Sequence, residues 1–239
     1  MIGDRRLDQD TTSKQVSTLV GLKIKSKRLP TWFTNFLQTH FNRFLGFTQF
    51  NDTYSQLPEQ ENQRLSKVAL DRMNIKLIHS GEPLSSIPLS GPQIFVANHP
   101  HGLVDGFALD HLIASQRPDT KIMAMYALGN IPEYEETLIL VDPMKKRSRQ
   151  SLNVGSWRKV YKQVSSGGAL VVFPAGAVSR YQPSHNRVKD SDWSPHIAAI
   201  ARRTGATVIP LFIHGRNDLA VNGGVKVCHW GGAKVGQFV

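Results

Sequence analysis

Two histidines and an aspartate share one short run, Asn98-His99-Pro100-His101-Gly102-Leu103-Val104-Asp105. Imidazole titrates near neutrality, so either histidine could take a proton from a hydroxyl. A carboxylate on its other ring nitrogen would fix the tautomer and stabilise the imidazolium formed. Asp105 stands about one helical turn into the next element, within reach of the turn. The plainer readings are a dipole-favoured aspartate at a helix N-terminus and a structural histidine. A metal site is weaker, because no third ligand stands at recognisable spacing.

Two further runs carry polar cargo. In Val171-Val172-Phe173-Pro174-Ala175-Gly176-Ala177-Val178-Ser179-Arg180 an apolar stretch leads into a turn, a hydroxyl and a guanidinium. Gly176 would let backbone approach a ligand, and Arg180 could grip a phosphate. The alternative is an ordinary turn with a solvated arginine. In Val208-Ile209-Pro210-Leu211-Phe212-Ile213-His214-Gly215-Arg216-Asn217 another apolar stretch ends in glycine, arginine and an amide. Three strand ends with polar cargo suggest one shared cleft.

The elements that must position these groups read as follows. The patterns predict strands near 75–79, 93–97, 121–125, 137–141, 169–173 and 207–213, and helices near 104–115, 149–164 and 195–203. Ser194 suits the N-cap of the last helix, Pro195 its first turn and Gly205 its end. Strands alternating with helices argue for an α/β layered fold. Upstream, Pro30 opens a helical pattern with Trp32, Phe33, Phe36, Leu37, Phe41, Phe44 and Leu45 on one face, ending at Gly46. That face fits a membrane surface or a protein core equally well. A second helix is predicted over 58–73. The organisation expected is a basic mobile arm (1–29), a helical segment (30–74) and an α/β domain (75–239), with the glycine-rich tail 221–239 unplaced.

Composition bounds the rest. The 239-residue chain carries a net charge of +11, which attracts nucleic acid, anionic lipid or phosphorylated ligands without choosing among them. No zinc finger, RNP motif or helix-turn-helix signature is visible, so nucleic acid is not expected. The single cysteine, Cys228, excludes a disulfide framework and fits a reducing compartment. With no secretory leader pattern and no long apolar run, the expectation is a cytoplasmic protein, peripheral on the cytoplasmic face of a membrane.

The ordered set Asn98-His99…Asp105, Phe173-Pro174-Ala175-Gly176-Ala177-Val178-Ser179-Arg180 and Ile209-Pro210…Gly215-Arg216-Asn217 resembles the glycerophosphate and lysophospholipid acyltransferase superfamily. It is most similar to the bacterial branch of hemolysin-related and lyso-ornithine-lipid acyltransferases. The resemblance runs from about Trp32 to Asn217 and includes Gly129-Asn130-Ile131-Pro132. It implies a mixed α/β sheet flanked by helices. It also implies direct acyl transfer from acyl-CoA or acyl-carrier protein to a lysolipid hydroxyl at an anionic membrane surface, with no bound cofactor, no acyl-enzyme and no metal.

By position, the resemblance makes His99 the general base and Asp105 its partner. Asn98 and His101 would flank the acceptor. Gly176, Ser179 and Arg180 would hold its polar head, Ile131 and Pro132 would lie along its cleft, and Arg216 and Asn217 would support the site. Three departures stand out. Five residues separate His99 from Asp105 where four are common, which makes His101 a rival base. Ala175 and Ala177 occupy positions where a glutamate is frequent, leaving a catalytically impaired lipid-binding relative as the alternative. Members also usually continue well beyond the Gly215-Arg216-Asn217 motif.

Overall fold

The computed structural model describes residues 21, 29–44, 47–55, 64–142, 150–215 and 234–237. The expected basic arm, the tail and the pair Arg216 and Asn217 therefore lie almost wholly outside the described residues.

Strand β2 (Gln93–Ala97) is buried at every position. Ile94 and Val96 meet one helical layer and Phe95 and Ala97 the other, as the two-residue period of a strand requires. That is why its sequence is a continuous apolar run rather than an alternating one. Its neighbours are β5 (Ala169–Val172) and β8 (Thr207–Ile213), both parallel to it. Beyond β5 come β3 (Lys121–Met125) and β4 (Leu138–Val141), again parallel. On the other edge β9 (Lys234–Gln237) pairs antiparallel with β8 and parallel with β1 (Ile78–Ser80). The result is a seven-stranded mixed sheet. A separate antiparallel pair, β6 (Arg180–Gln182) and β7 (Arg187–Lys189), was not anticipated from sequence.

On one face α4 (Leu103–Ala114) lies against the sheet and is itself covered by α2 (Phe47–Ser55) and α3 (Leu65–Arg72), through Phe47, Phe50, Leu65, Leu70, Leu103 and Phe107. On the other face α5 (Gln150–Ser165) and α6 (His196–Thr204) pack Val160, Val164, Ile197 and Ala201 onto Ile94, Val96, Leu170 and Val172. The first helix, α1 (Thr31–Phe44), leaves Trp32 and Phe36 exposed. The expected cap of α6 shifts by one residue: Pro195 is the N-cap, and Ser194 Oγ accepts the His196 N–H at 3.4 Å. Gly205 closes the helix at φ +66°, a conformation that favours glycine. Helix α1 ends at Phe44, close to the end expected at Gly46, and α2 is a further helix not anticipated from sequence. Phe47, Phe50 and Tyr54 form their own apolar stripe against α4.

Where β2, β3 and β5 begin, Arg117 is 1% exposed. Its guanidinium donates to the carbonyls of Pro88, Gly91 and Gly167 at 2.9–3.2 Å and to the Asp119 carboxylate at 2.8 and 2.9 Å. The hydrogen bond from Arg117 is the main cause holding the Asp119 carboxyl below its usual value. That contribution is complete above about pH 4, the unfolded carboxylate value, and fades as pH falls through the lower folded value. Arg117→Met takes a donor from the carbonyls of Gly91, Gly167 and Pro88, the last of which still accepts Gln93 Nε2 at 2.8 Å. It should cost about 3 kcal/mol in urea unfolding at neutral pH, with a smaller deficit in acid, where the parent has already lost the Asp119 term.

Candidate functional site

At the opposite end of the sheet, β2, β5 and β8 finish side by side, and the chemistry-bearing residues follow them. Asn98 does not leave its amide free. Its Oδ1 accepts the Ile213 N–H at 2.7 Å and its Nδ2 donates to the Ile213 carbonyl at 2.9 Å. The side chain thus continues the ladder to β8 and fastens the turn after β2. The next residue is held on three sides. The His99 carbonyl accepts the Ser179 N–H at 2.8 Å. Its ring stacks on Phe173, centroids 4.0 Å apart and planes at 21°. Its Nδ1 lies 2.9 Å from Asp105 Oδ2.

Asp105 sits in the first turn of α4 and is completely buried. The chain reaches it by reversing at Gly102, φ +68°, which brings the His101 N–H to the same Oδ2 at 2.8 Å. Glycine suits that backbone because a Cβ disfavours positive φ. Oδ1 is buried without a hydrogen-bond partner among the described residues. The His101 ring faces elsewhere: Nε2 donates to the His214 carbonyl at 3.0 Å and packs on Gly215, where a Cβ would come within 2.6 Å of it. Of the two histidines, His99 alone brings its ring to Asp105.

His99 opens onto a cleft of about 810 Å³. One part is apolar, lined by Phe47, Leu103, Phe107, Met125, Leu128 and Ile131. Tyr134 lines it too. Burial first, and Asp110 second, push its hydroxyl well above the ordinary phenol range, so it stays a neutral donor. The other part, towards α5 and α6, is lined by Asp142, Asn153, Trp157, Asp192, Trp193 and His196. A volume of this size suits a small-molecule ligand with a long apolar portion.

The other expected residues divide. Ile131 and Gly176 line the cleft; Pro132 is exposed just beyond Ile131. Ser179 is buried and its hydroxyl donates to Asp190 Oδ1. Arg180 opens β6, is exposed and stands outside the cleft lining. Asp190, Trp193 and His196 are not among the site residues expected from sequence; the first two precede the helix predicted over 195–203 and the third lies in its first turn. No local spacing signals Asp190, whose link to His99 spans 91 residues. Among the described residues no group of three or more His, Cys, Asp or Glu side chains could hold a metal ion.

The acyltransferase family profile matches residues 49–222. The chain belongs to that family. The superfamily read from the ordered motifs is the one the comparisons support. A lyso-glycine lipid O-acyltransferase of Phocaeicola vulgatus is 30% identical over 140 residues, covering 56% of this chain and 46% of the relative. The chain thus spans under half of that protein's length. A lyso-glycine lipid O-acyltransferase of Bacteroides thetaiotaomicron is 22% identical over 203 residues, covering 82% and 70% of the two chains. The crystal structure of the 1-acyl-sn-glycerophosphate acyltransferase of Thermotoga maritima superposes with a TM-score of 0.50 at 20% identity, over 85% of this chain and 81% of that chain. The likeness in structure is one of fold.

Gly106 lines the cleft on α4, and a Cβ built there would meet nothing within 4 Å. Helix interiors disfavour glycine by about 1 kcal/mol relative to alanine, so the fold gains nothing from its bareness, whereas the cleft gains room. Gly106→Ala should unfold at higher denaturant by an equivalent of about 0.5–1 kcal/mol, yet bind a long-chain fatty-acyl probe more weakly. Equal or tighter binding would show that the open space is not used.

Proposed function

We propose that this acyltransferase moves a fatty acyl group from an acyl thioester, acyl-CoA or acyl-carrier protein, onto the hydroxyl of a lysolipid. The observation that carries the reading is the 2.9 Å contact between His99 Nδ1 and the buried Asp105 carboxylate, with the imidazole opening onto a largely apolar cleft. A carboxylate only accepts, so Nδ1 is the donor and Nε2 keeps its lone pair for the substrate. Nε2 takes the hydroxyl proton as that oxygen attacks the thioester carbonyl. The C–O bond forms, the C–S bond breaks, and the imidazolium returns the proton to the departing sulfur. Asp105 stabilises the imidazolium between those steps. The bond-making residues do not themselves become acylated.

The acceptor class is supported by the names of the relatives, which act on lyso-glycine lipid. Attachment to an anionic membrane is supported by the net charge of +11 and by Trp32 and Phe36, 70% and 54% exposed on α1. Aromatic residues on a surface helix suit the headgroup layer. No helix among the described residues is long and apolar enough to cross a membrane.

The test is a transfer screen of lysolipids, lyso-glycine lipid included, against both donor types. His99→Ala should lower turnover by about 10²–10⁴-fold, the usual worth of a general base, with the fold retained by circular dichroism. His101→Ala should stay within about tenfold of the parent, since its ring bonds the His214 carbonyl rather than Asp105. The reverse ranking would make His101 the base, and no thioester consumption under any condition would leave a lipid-binding relative.

A further inference from the structure

Asp190 lies between β7 and α6. Its Oδ1 accepts the backbone N–H of His99 at 3.2 Å and the hydroxyl of Ser179. Its Oδ2 accepts the indole N–H of Trp193 at 2.9 Å. Its own carbonyl accepts from Gln182 Nε2 at 2.9 Å, and nearby the Ser194 N–H reaches the Pro174 carbonyl at 3.0 Å. One carboxylate thus faces the base with one oxygen and the cleft wall with the other. Trp193 is 46% exposed and lines the cleft, so its ring is presented to a ligand while its single polar atom is tied back.

We infer that Asp190 is the positioning residue of this site, fixing the His99 backbone and the Trp193 ring in one register so that acceptor contact and proton removal share a frame. The inference rests on the proposed reading of His99 as base. The two arms are chemically separable. Through Ser179 and the His99 N–H, Asp190 sets where the imidazole stands, and misplacing a general base by a fraction of an ångström slows the chemical step. Through Trp193 it sets an apolar surface against which a lysolipid would lie, and losing that alters binding. Charge-assisted hydrogen bonds hold both arms, so an amide in place of the carboxylate weakens them without changing shape.

The experiment compares Asp190→Asn, Ser179→Ala and Trp193→Phe in the full chain. Transfer is assayed with palmitoyl-CoA and lyso-glycine lipid, and lyso-glycine lipid binding is measured separately by titration. Asp190→Asn should lower kcat about tenfold and raise KM severalfold. Ser179→Ala should lower kcat at near-constant KM, and Trp193→Phe should raise KM at near-constant kcat. Combining Asp190→Asn with Trp193→Phe should weaken binding no further than Asp190→Asn alone, because both remove the same contact. If the parent consumes no thioester, the functional reading fails. The Asp190 inference is then judged on the binding cycle and on whether Asp190→Asn shifts the Trp193 indole N–H resonance. Additive binding losses with an unmoved resonance, or activity losses that merely follow thermal stability in all three variants, would overturn it.

Discussion

A fully buried carboxylate is the constraint around which this end of the molecule is arranged. Moving Asp105 out of water is costly unless hydrogen bonds replace its solvation. The chain supplies two donors to one oxygen, the His99 ring and the His101 backbone. The first turn of α4 adds the favourable field of a helix N-terminus. Each donor imposes a demand. The ring contact requires His99 to stand just past the end of β2, two residues after Ala97, and the backbone contact requires the reversal at Gly102. Both require the turn to stay pinned, which Asn98 achieves by bonding to Ile213 on β8. Among the described residues Asp105 Oδ1 finds no hydrogen-bond partner, a cost in stability of the kind that tends to concentrate at functional sites.

Much of this was readable because the local signals agree. The apolar runs of β2, β3 and β8 sit between turn residues, and their bounds in the structure coincide with those expected. The histidine turn and Asp105 are close in sequence, so one strand end and one helical turn suffice to foresee their meeting. Helix α2 was missed because Gly46 reads as a stop and Asn51, Asp52, Thr53 and Ser55 read as loop. Burial of Phe47 and Phe50 overrides those weak preferences. The role of Asn98 was also hidden, since nothing local distinguishes an amide that faces a ligand from one that completes a ladder. Asp190 is the clearest limit. A contact between residues 99 and 190 depends on how two distant strand ends come together, and no periodicity encodes it.

The two ends of the sheet divide the work. At the strand starts, Arg117 gathers three carbonyls and a carboxylate into a closed staple that faces no cleft. At the strand ends, polar groups are held by one side and open on the other. Among the described residues no lysine or arginine lines the cleft. Arg180, expected to grip a phosphate, stands outside its lining, and Ser179 spends its hydroxyl on Asp190. What surrounds His99 is aromatic and aliphatic surface on one side and a short polar arm on the other. That environment suits a ligand with a long apolar portion.

The proposed transfer depends on the orientation of one imidazole. Nitrogen-15 chemical shifts of the histidine side chains, with His99 assigned by substitution and measured about two pH units above the ordinary imidazole value of about 6.5, report which ring nitrogen carries the proton. A His99 ring protonated at Nδ1, with a bare Nε2, and a change in that tautomer balance in Asp105→Asn, is the expected result. A ring protonated at Nε2 in the parent, indifferent to Asp105→Asn, would contradict the account, because the nitrogen facing the substrate would then have no lone pair with which to accept its proton.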